Sequence, residues 1–106
     1  MIFAGFFVGA CGPTIVPDFN SPEPAARNAA IVQAVDNRDA SKIPDLVRML
    51  DSDDPATRLL AIQALERLTG QRYGYDPAAS ATEREPAIAK WVAYVNQGRP
   101  EDPNRP

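Results

Sequence analysis

The 106-residue sequence predicts a small all-α protein with about four helices. Two observations lead to this prediction. Apolar residues recur three or four positions apart in four separate segments, which is the spacing of one face of an α-helix. Residues typical of helix ends lie between these segments, with aspartate, serine and proline at the starts and Gly70 and Gly98 at two of the ends.

The first helix is predicted from about residue 24 to residue 37. Pro24 suits the first helical position, because that position has no partner for an N–H group inside the helix. Ser21 or Glu23 would precede it as the cap. The helix is rich in alanine, and its narrow apolar face is predicted to contain Ile31, Val32 and Val35.

The second helix is predicted from Ile43, Leu46, Val47 and Leu50, which share one helical face. Its start has two alternatives. If Ser41 is the cap, Pro44 falls in the first turn, where its missing N–H costs nothing. If Asp39 is the cap, Pro44 would kink the helix.

The third helix is predicted from Pro55 to about Leu68, with Asp54 as its cap and Gly70 as its end. Arg67 lies in the last turn, where a cation is favoured by the helix dipole. The apolar stripe is wide and predicts burial on two sides; its members are Leu59, Ile62, Leu65 and Leu68, widened by Leu60, Ala61 and Ala64.

The fourth helix has a capping-box pattern at Ser80 and Glu83, in which each side chain satisfies the other's backbone N–H. Pro86 would bend a helix begun there, so a start at Glu85 is the alternative. In either case the helix runs to about residue 97, and its predicted apolar face consists of Ile88, Trp91, Val92 and Val95.

Residues 39–68 resemble one repeat of the HEAT family. The apolar-proline pair Ile43-Pro44 and the leucine-rich turn that follows are similar to the family's first helix, and 51–58 to its turn, with Asp ahead of the second helix and Arg58 early in it. The Ala- and Leu-rich segment 59–68 is similar to the second helix. Segment 24–37 resembles the second helix of a truncated preceding repeat, whereas Trp91 and Pro86 make the last helix a closing cap.

The resemblance implies a short HEAT-like α-α superhelix over residues 24–97. Such helix pairs cannot bury their apolar stripes alone, so they stack, and the terminal units carry a polar outer face. An irregular helical bundle with the same helices in another packing order is the alternative.

Residues 1–10 are uncharged and end at Cys11, the only cysteine of the chain. They are too few to span a bilayer but have the length of a signal-peptide core. The order Val8, Gly9, Ala10, Cys11 resembles the lipobox of bacterial lipoproteins. The resemblance implies cleavage before Cys11 and lipidation of its thiol, hence an extracytoplasmic protein anchored in the cell membrane or outer membrane.

The leader departs from that pattern in one respect, because no Lys or Arg precedes the apolar run. A start codon placed too far downstream would explain the missing basic region. The alternatives are a secretory segment cut elsewhere, or a frayed apolar end with Cys11 as a free thiol.

Proline-rich stretches flank the predicted domain. Residues 11–23, from the lipidated cysteine onward, are predicted to be a disordered tether, and residues 98–106 a disordered tail.

Composition and charge exclude several functions. Eleven basic against 14 acidic residues leave a net charge of −3, so no basic excess favours nucleic acid. Histidine is absent, which removes the usual zinc ligand and proton-transfer group. The acidic run Asp51, Asp53, Asp54 lacks the spacing of a calcium loop, so it indicates a solvated turn with a helix cap. We expect no catalytic residues, no metal and no cofactor, and therefore no enzyme.

The remaining candidates point to protein binding. The 71–79 loop is predicted to fold back, with Tyr73 or Tyr75 packing over the last helix and Trp91 closing the end of the core, although aromatic residues also favour interaction surfaces. Repeats of this kind bind through extended concave faces, so the second-helix side or an uncapped end is the expected contact. The sequence thus predicts a lipid-anchored adaptor for a protein partner; the candidate contact residues are Arg58, Arg67, Arg72 and Tyr73.

Two alternatives to the adaptor remain open at this point. One is a structural envelope spacer without a specific partner. The other is a soluble cytoplasmic HEAT-like fragment whose first ten residues are a misread start.

Overall fold

A computed structural model describes residues 14–97 of the chain. Within that range there are four α-helices and no strand, which confirms the predicted all-α fold. The predicted leader (1–10), Cys11 and the predicted tail (98–106) lie outside the described residues. The helices are α1 (Pro24–Asp36), α2 (Ile43–Met49), α3 (Pro55–Thr69) and α4 (Ala81–Gln97), and a short 3-10 turn (Ala40–Lys42) precedes α2.

The helices pack in two layers. Helix α1 lies against α3, α2 lies against both α3 and α4, and the core fills the space between them. Its largest fully buried apolar side chains come from all four helices and from the residue that follows α2; they are Ile31, Leu46, Leu50, Ile62, Leu65 and Trp91.

The start of α3 joins the two helices of one layer. The Asp54 carboxylate accepts from the Thr57 backbone N–H at 2.9 Å and lies 2.8 Å from the Thr57 hydroxyl, and these hydrogen bonds lower the pKa of Asp54. The same hydroxyl lies 2.6 Å from the side-chain oxygen position of Asn28 in α1. A hydroxyl has one proton, so both bonds form when the Asn28 amide turns its nitrogen to donate. The predicted cap is confirmed, and it also ties α1 to α3.

The start of α2 resolves the alternative about Pro44. Asp39 accepts from the Ser41 hydroxyl and backbone N–H, which lowers the pKa of Asp39, but it caps the 3-10 turn rather than α2 itself. The α-helix begins at Ile43, so Pro44 lies in the first turn, where no N–H is needed. Asp39 therefore caps the 3-10 turn, and Pro44 does not kink α2 because it lies in the first turn of that helix.

The start of α4 follows the capping-box prediction. Backbone N–H groups of Ser80 and Glu83 donate to each other's side chains at 3.2 Å, and the helix then continues through Pro86 to Gln97. The alternative start at Glu85 is therefore wrong. At the other end of α3, Gly70 adopts φ 81°, the left-handed conformation that ends a helix and that glycine adopts without strain.

Three apolar residues face the opposite way from their prediction. Val32, Leu59 and Val92 are 47%, 44% and 43% exposed. In α1 the buried positions are instead mostly alanines, Ala26, Ala30 and Ala34, together with Ile31. Small side chains at four-residue spacing let α1 approach α3 closely, so the side that packs is the alanine side.

The last residues of the predicted tether lie against the domain. The Asp18 N–H donates to the Ala26 carbonyl at 3.1 Å, and Phe19 packs partly buried against the core. Arg27 donates to the Ser21 carbonyl at 3.0 Å. Arg48 of α2 donates to Asn20 at 3.2 Å. These contacts place residues 18–23 on the domain as a turn that leads into α1.

Candidate functional site: a groove between helices α1 and α3

A groove of about 160 Å³ runs along the surface between α1 and α3. We call it the α1–α3 groove, and its lining residues come from two turns of each helix: Ile31, Val32, Val35 and Asp36 from α1, and Leu60, Gln63, Ala64 and Arg67 from α3. Five of these eight side chains are apolar. The groove is therefore an apolar strip with polar groups along its edges.

The groove is open because the packing residues of α1 are small. Ala30 and Ala34 sit in the contact with α3, while the larger Val32 lies outside it and Val35 is half-buried. Leu60 of α3 is also only partly buried beside the core. Within residues 14–97, no helix packs on the outer side of α1 as α2 packs on α3, so these side chains keep apolar surface in water.

Charge is concentrated at one end of the groove. Asp36 and Arg67 line its end at the carboxyl termini of α1 and α3, and an adjoining hollow there is formed by Val35, Asp36, Arg38, Arg67 and Leu68. Arg38 adopts φ 49° just after α1. Two arginines and one aspartate make this end net positive, whereas the middle of the groove is uncharged.

Of the predicted contact residues, only Arg67 lines the groove. Arg58 lies elsewhere, at the start of α3. Its guanidinium donates to the Ser52 carbonyl at 2.8 Å and to the Pro77 carbonyl at 3.0 Å, so it joins two loops. Arg58 therefore stabilises the fold by holding these two loops together.

Arg72 and Tyr73 lie in the loop between α3 and α4. Arg72 pairs with Glu66 at 2.9 Å, and its carbonyl accepts from the indole N–H of Trp91 at 3.3 Å. Tyr73 packs edge-on against Trp91, with ring centroids 4.8 Å apart, and adjoins Tyr94. Tyr73, Trp91 and Tyr94 form one group, which we call the aromatic cluster, and the structure does not bring Arg72 or Tyr73 to the groove.

The buried rings support the structural interpretation of the aromatic residues. Trp91 is fully buried and Tyr75 nearly so. The Tyr75 hydroxyl donates to the Leu50 carbonyl at 2.6 Å, which satisfies the end of α2. Burial raises the pKa of Tyr75, because the charged phenolate would lose its hydration.

Sequence reasoning missed Val32 and Leu60 as surface residues of the groove. The predicted apolar face of α1 contains Val32 because it lies close to Ile31 and Val35 in helical spacing. The structure packs the series Ala26, Ala30, Ala34 on the inner side of α1, but the side that contains Val32 also has helical spacing, so the sequence alone does not distinguish the two. With those alanines inside, Val32 must lie toward the outer side of α1.

Two other features, a metal-binding group and a membrane-spanning helix, are not found in the described part of the chain. Residues 14–97 hold no group of three or more His, Cys, Asp or Glu side chains placed to bind a metal ion. In the same range, no helix has both the length and the apolar character needed to cross a bilayer. Comparison of the chain with known protein families, curated proteins and solved structures finds no match.

Proposed function

We propose that this protein is a non-enzymatic, lipid-anchored adaptor at the cell envelope, with a HEAT-like helical domain that holds a protein partner in the α1–α3 groove. The anchor is the lipidated Cys11 that the lipobox resemblance implies. The helical domain supplies the binding surface. Each part of the proposal has its own support and its own test.

The order of helix packing supports the HEAT-like part. In a stack of helix pairs, first helices lie against first helices and second helices against second. The resemblance makes α1 and α3 second helices, α2 a first helix and α4 the cap in the next first-helix position. The packed pairs are α1 with α3, α2 with α4, and α2 with α3 within one repeat. This is the neighbour pattern of a stack, and it is the observation that carries the proposal.

The groove then lies on the second-helix side, where stacked repeats bind their partners. Its apolar strip between two parallel-lying helices suits an amphipathic helix with apolar anchors three or four residues apart. Val32 is 47% exposed and would lose that exposure under such a partner. Arg38 and Arg67 at the positive end favour a partner helix that carries carboxylates beyond its apolar stripe.

Matched variants test the binding surface. Val32→Glu places a charge in the groove, and Val92→Glu places the same charge at a similarly exposed valine on α4, outside it. Leu60→Glu and Leu59→Glu form a second pair on α3. Photo-crosslinking in intact cells, followed by mass spectrometry, measures which proteins each variant contacts.

If the protein is an adaptor, we expect one protein to be crosslinked repeatedly to the wild type and to both control variants, and not to either groove variant. Equal recovery from groove and control variants would place the contact elsewhere. Failure to recover any recurrent protein would favour a structural spacer.

The anchor has an independent test. The Cys11→Ala variant is expected to move from the membrane fraction to the soluble fraction, and the intact mass of the mature wild-type chain is expected to show loss of residues 1–10 plus an added lipid. Unchanged membrane association of the variant would contradict lipid anchoring and leave the groove proposal standing.

A further inference from the structure

The connection between Cys11 and the folded domain is short. Residues 18–23 are held on the domain by the bond from Asp18 N–H to the Ala26 carbonyl and by the packing of Phe19. Only six residues, 12–17, therefore separate the cysteine from the attached turn. Even fully extended, the seven steps from Cys11 to Asp18 span at most about 25 Å. An anchor at Cys11 would keep the domain next to the membrane surface.

The short connection carries two adjacent exposed apolar side chains. Ile15 is 55% exposed and Val16 is 69% exposed, more than any other large apolar residue among those described. Neither belongs to the core or to the residues packed against it. Single exposed apolar residues are normal, but these two lie four and five positions from the proposed lipid and precede the first charged residue, Asp18.

The end of the domain that receives this connection is acidic. Glu23 lies directly before α1, and Asp53 and Asp54 lie before α3. The Asn28–Thr57 contact of 2.6 Å brings the two helix starts together. Arg27 and Arg58 also lie at this end, but Asp18 and Asp51 add to the carboxylates. Arg48, which contacts Asn20, is paired with Asp45, so the end stays net negative. This net negative charge opposes close approach of the helix starts to anionic lipid head groups, so lipid contact is confined to the uncharged residues ahead of Asp18. The orientation proposed below therefore follows from the short connection to Cys11, and charge works against it.

We propose that Ile15 and Val16 enter the interface of the membrane in which Cys11 is anchored, so that the starts of α1 and α3 face the lipid and the positive end of the groove points away. This inference rests on the lipid anchor of the proposed function. Helix α1 has 13 residues, or about 20 Å at 1.5 Å per residue. Arg38 and Arg67 at the far end are thus presented to a partner beyond the membrane surface.

Cysteine labelling tests the inference on the mature lipidated chain in vesicles of phosphatidylethanolamine and phosphatidylglycerol. Because Cys11 is the only native cysteine and its sulfur would carry the lipid, an introduced cysteine is the only thiol that reacts with an environment-sensitive fluorophore. The test position is Val16→Cys. The control is Gln71→Cys, an exposed position after α3 at the far end.

The probe at residue 16 is expected to emit at shorter wavelength than the probe at residue 71 and to be quenched by lipids that carry a nitroxide. If both probes emit as in water and are not quenched, the inference about Ile15 and Val16 is overturned, and the proposed lipid anchor at Cys11 is not affected. If the wild-type chain itself takes up the fluorophore, Cys11 is not acylated and the anchor and this inference both fall.

A second variant separates entry into the interface from mere proximity to the lipid. A Thr14→Cys probe is measured in the wild-type background and in the Ile15→Ser/Val16→Ser background. All three residues are exposed, so the fold is not at risk. The serine pair is expected to abolish the spectral shift, whereas an unchanged shift would mean that the acyl chains alone place the probe there and would overturn the inference.

Discussion

The two sides of α3 differ in how they are covered. Toward α2 and α4, the loop after Gly70 folds back and supplies Tyr73 and Tyr75, and Trp91 fills the remaining space. Toward α1, the contact consists largely of alanines, and Val32 and Leu60 keep exposed or half-exposed surface. Large aromatic side chains therefore seal one side, and small ones leave a groove on the other. The difference indicates which side contributes most to the packing of the core and which side keeps apolar surface exposed.

The largest expected effect lies on the sealed side. Trp91→Ala removes a fully buried indole, its contact with Tyr73 and Tyr94, and its hydrogen bond to the Arg72 carbonyl. We expect a loss of about 3–5 kcal/mol in the free energy of unfolding, a large share of the stability of so small a domain. Urea denaturation followed by circular dichroism measures it.

The matched control for that substitution is the next residue. Val92→Ala changes a side chain that is 43% exposed, so the expected change is within about 0.5 kcal/mol. If both substitutions cost the same, the aromatic cluster does not seal the core.

A smaller effect is expected for the hydrogen bond that closes α2. Tyr75→Phe leaves the Leu50 carbonyl buried without its donor, which costs about 1–3 kcal/mol at neutral pH. The pKa of Tyr75 is raised in the folded state above its unfolded value of about 10. Its contribution is therefore fully present below about pH 10 and is lost as the pH rises through the folded value.

The pH dependence provides the check. The difference in unfolding free energy between wild type and Tyr75→Phe is expected to be constant from pH 7 to about pH 9 and to shrink above about pH 10. A difference that stays constant through pH 11 would show that the phenol is not protected by burial.

Local signals explain which parts of this architecture were predictable. Asp54 with Pro55 and Gly70 bound α3 within a residue of its predicted ends, and Ser80 with Glu83 start α4, because a cap depends on residues three or four positions away. The all-α class follows from these local signals. For α2 the sequence leaves Ser41 and Asp39 open as alternative caps, and it does not predict the 3-10 turn that Asp39 caps.

The faces of the helices and the groove could not be predicted in the same way. In α1 both the Ala26–Ala30–Ala34 side and the Val32 side satisfy helical spacing, and the choice depends on how closely α3 approaches. Tyr75 is one of the two tyrosines predicted to pack over the last helix, but its hydrogen bond to the Leu50 carbonyl joins residues distant in sequence, which no local pattern predicts. In α4 the buried side contains Ala87, Trp91 and Tyr94, although the predicted face with Val92 has helical spacing too. The groove is the surface left by that packing, so only Arg67 among the predicted contact residues lies in it.

The tie between α1 and α3 is expected to have a moderate effect. Thr57→Val keeps the shape of a fully buried side chain but removes the hydroxyl that contacts Asn28 and Asp54. We expect a loss of about 1 kcal/mol, because one buried hydrogen-bond network loses its central member. Thermal unfolding measures it against Thr82→Val, an exposed threonine in the first turn of α4 that should change little.

The smallest expected effect on stability belongs to the open side. Val32→Ser replaces an apolar side chain that is 47% exposed, so the free energy of unfolding should change by less than about 0.5 kcal/mol. Crosslinking to the proposed partner should nevertheless fall, because the serine removes apolar area that only a bound helix would bury. A residue that matters for binding and not for folding is what an interaction surface requires. A loss of stability comparable to that of Thr57→Val would instead show that Val32 belongs to the core contact of α1 and that the groove is closed in solution.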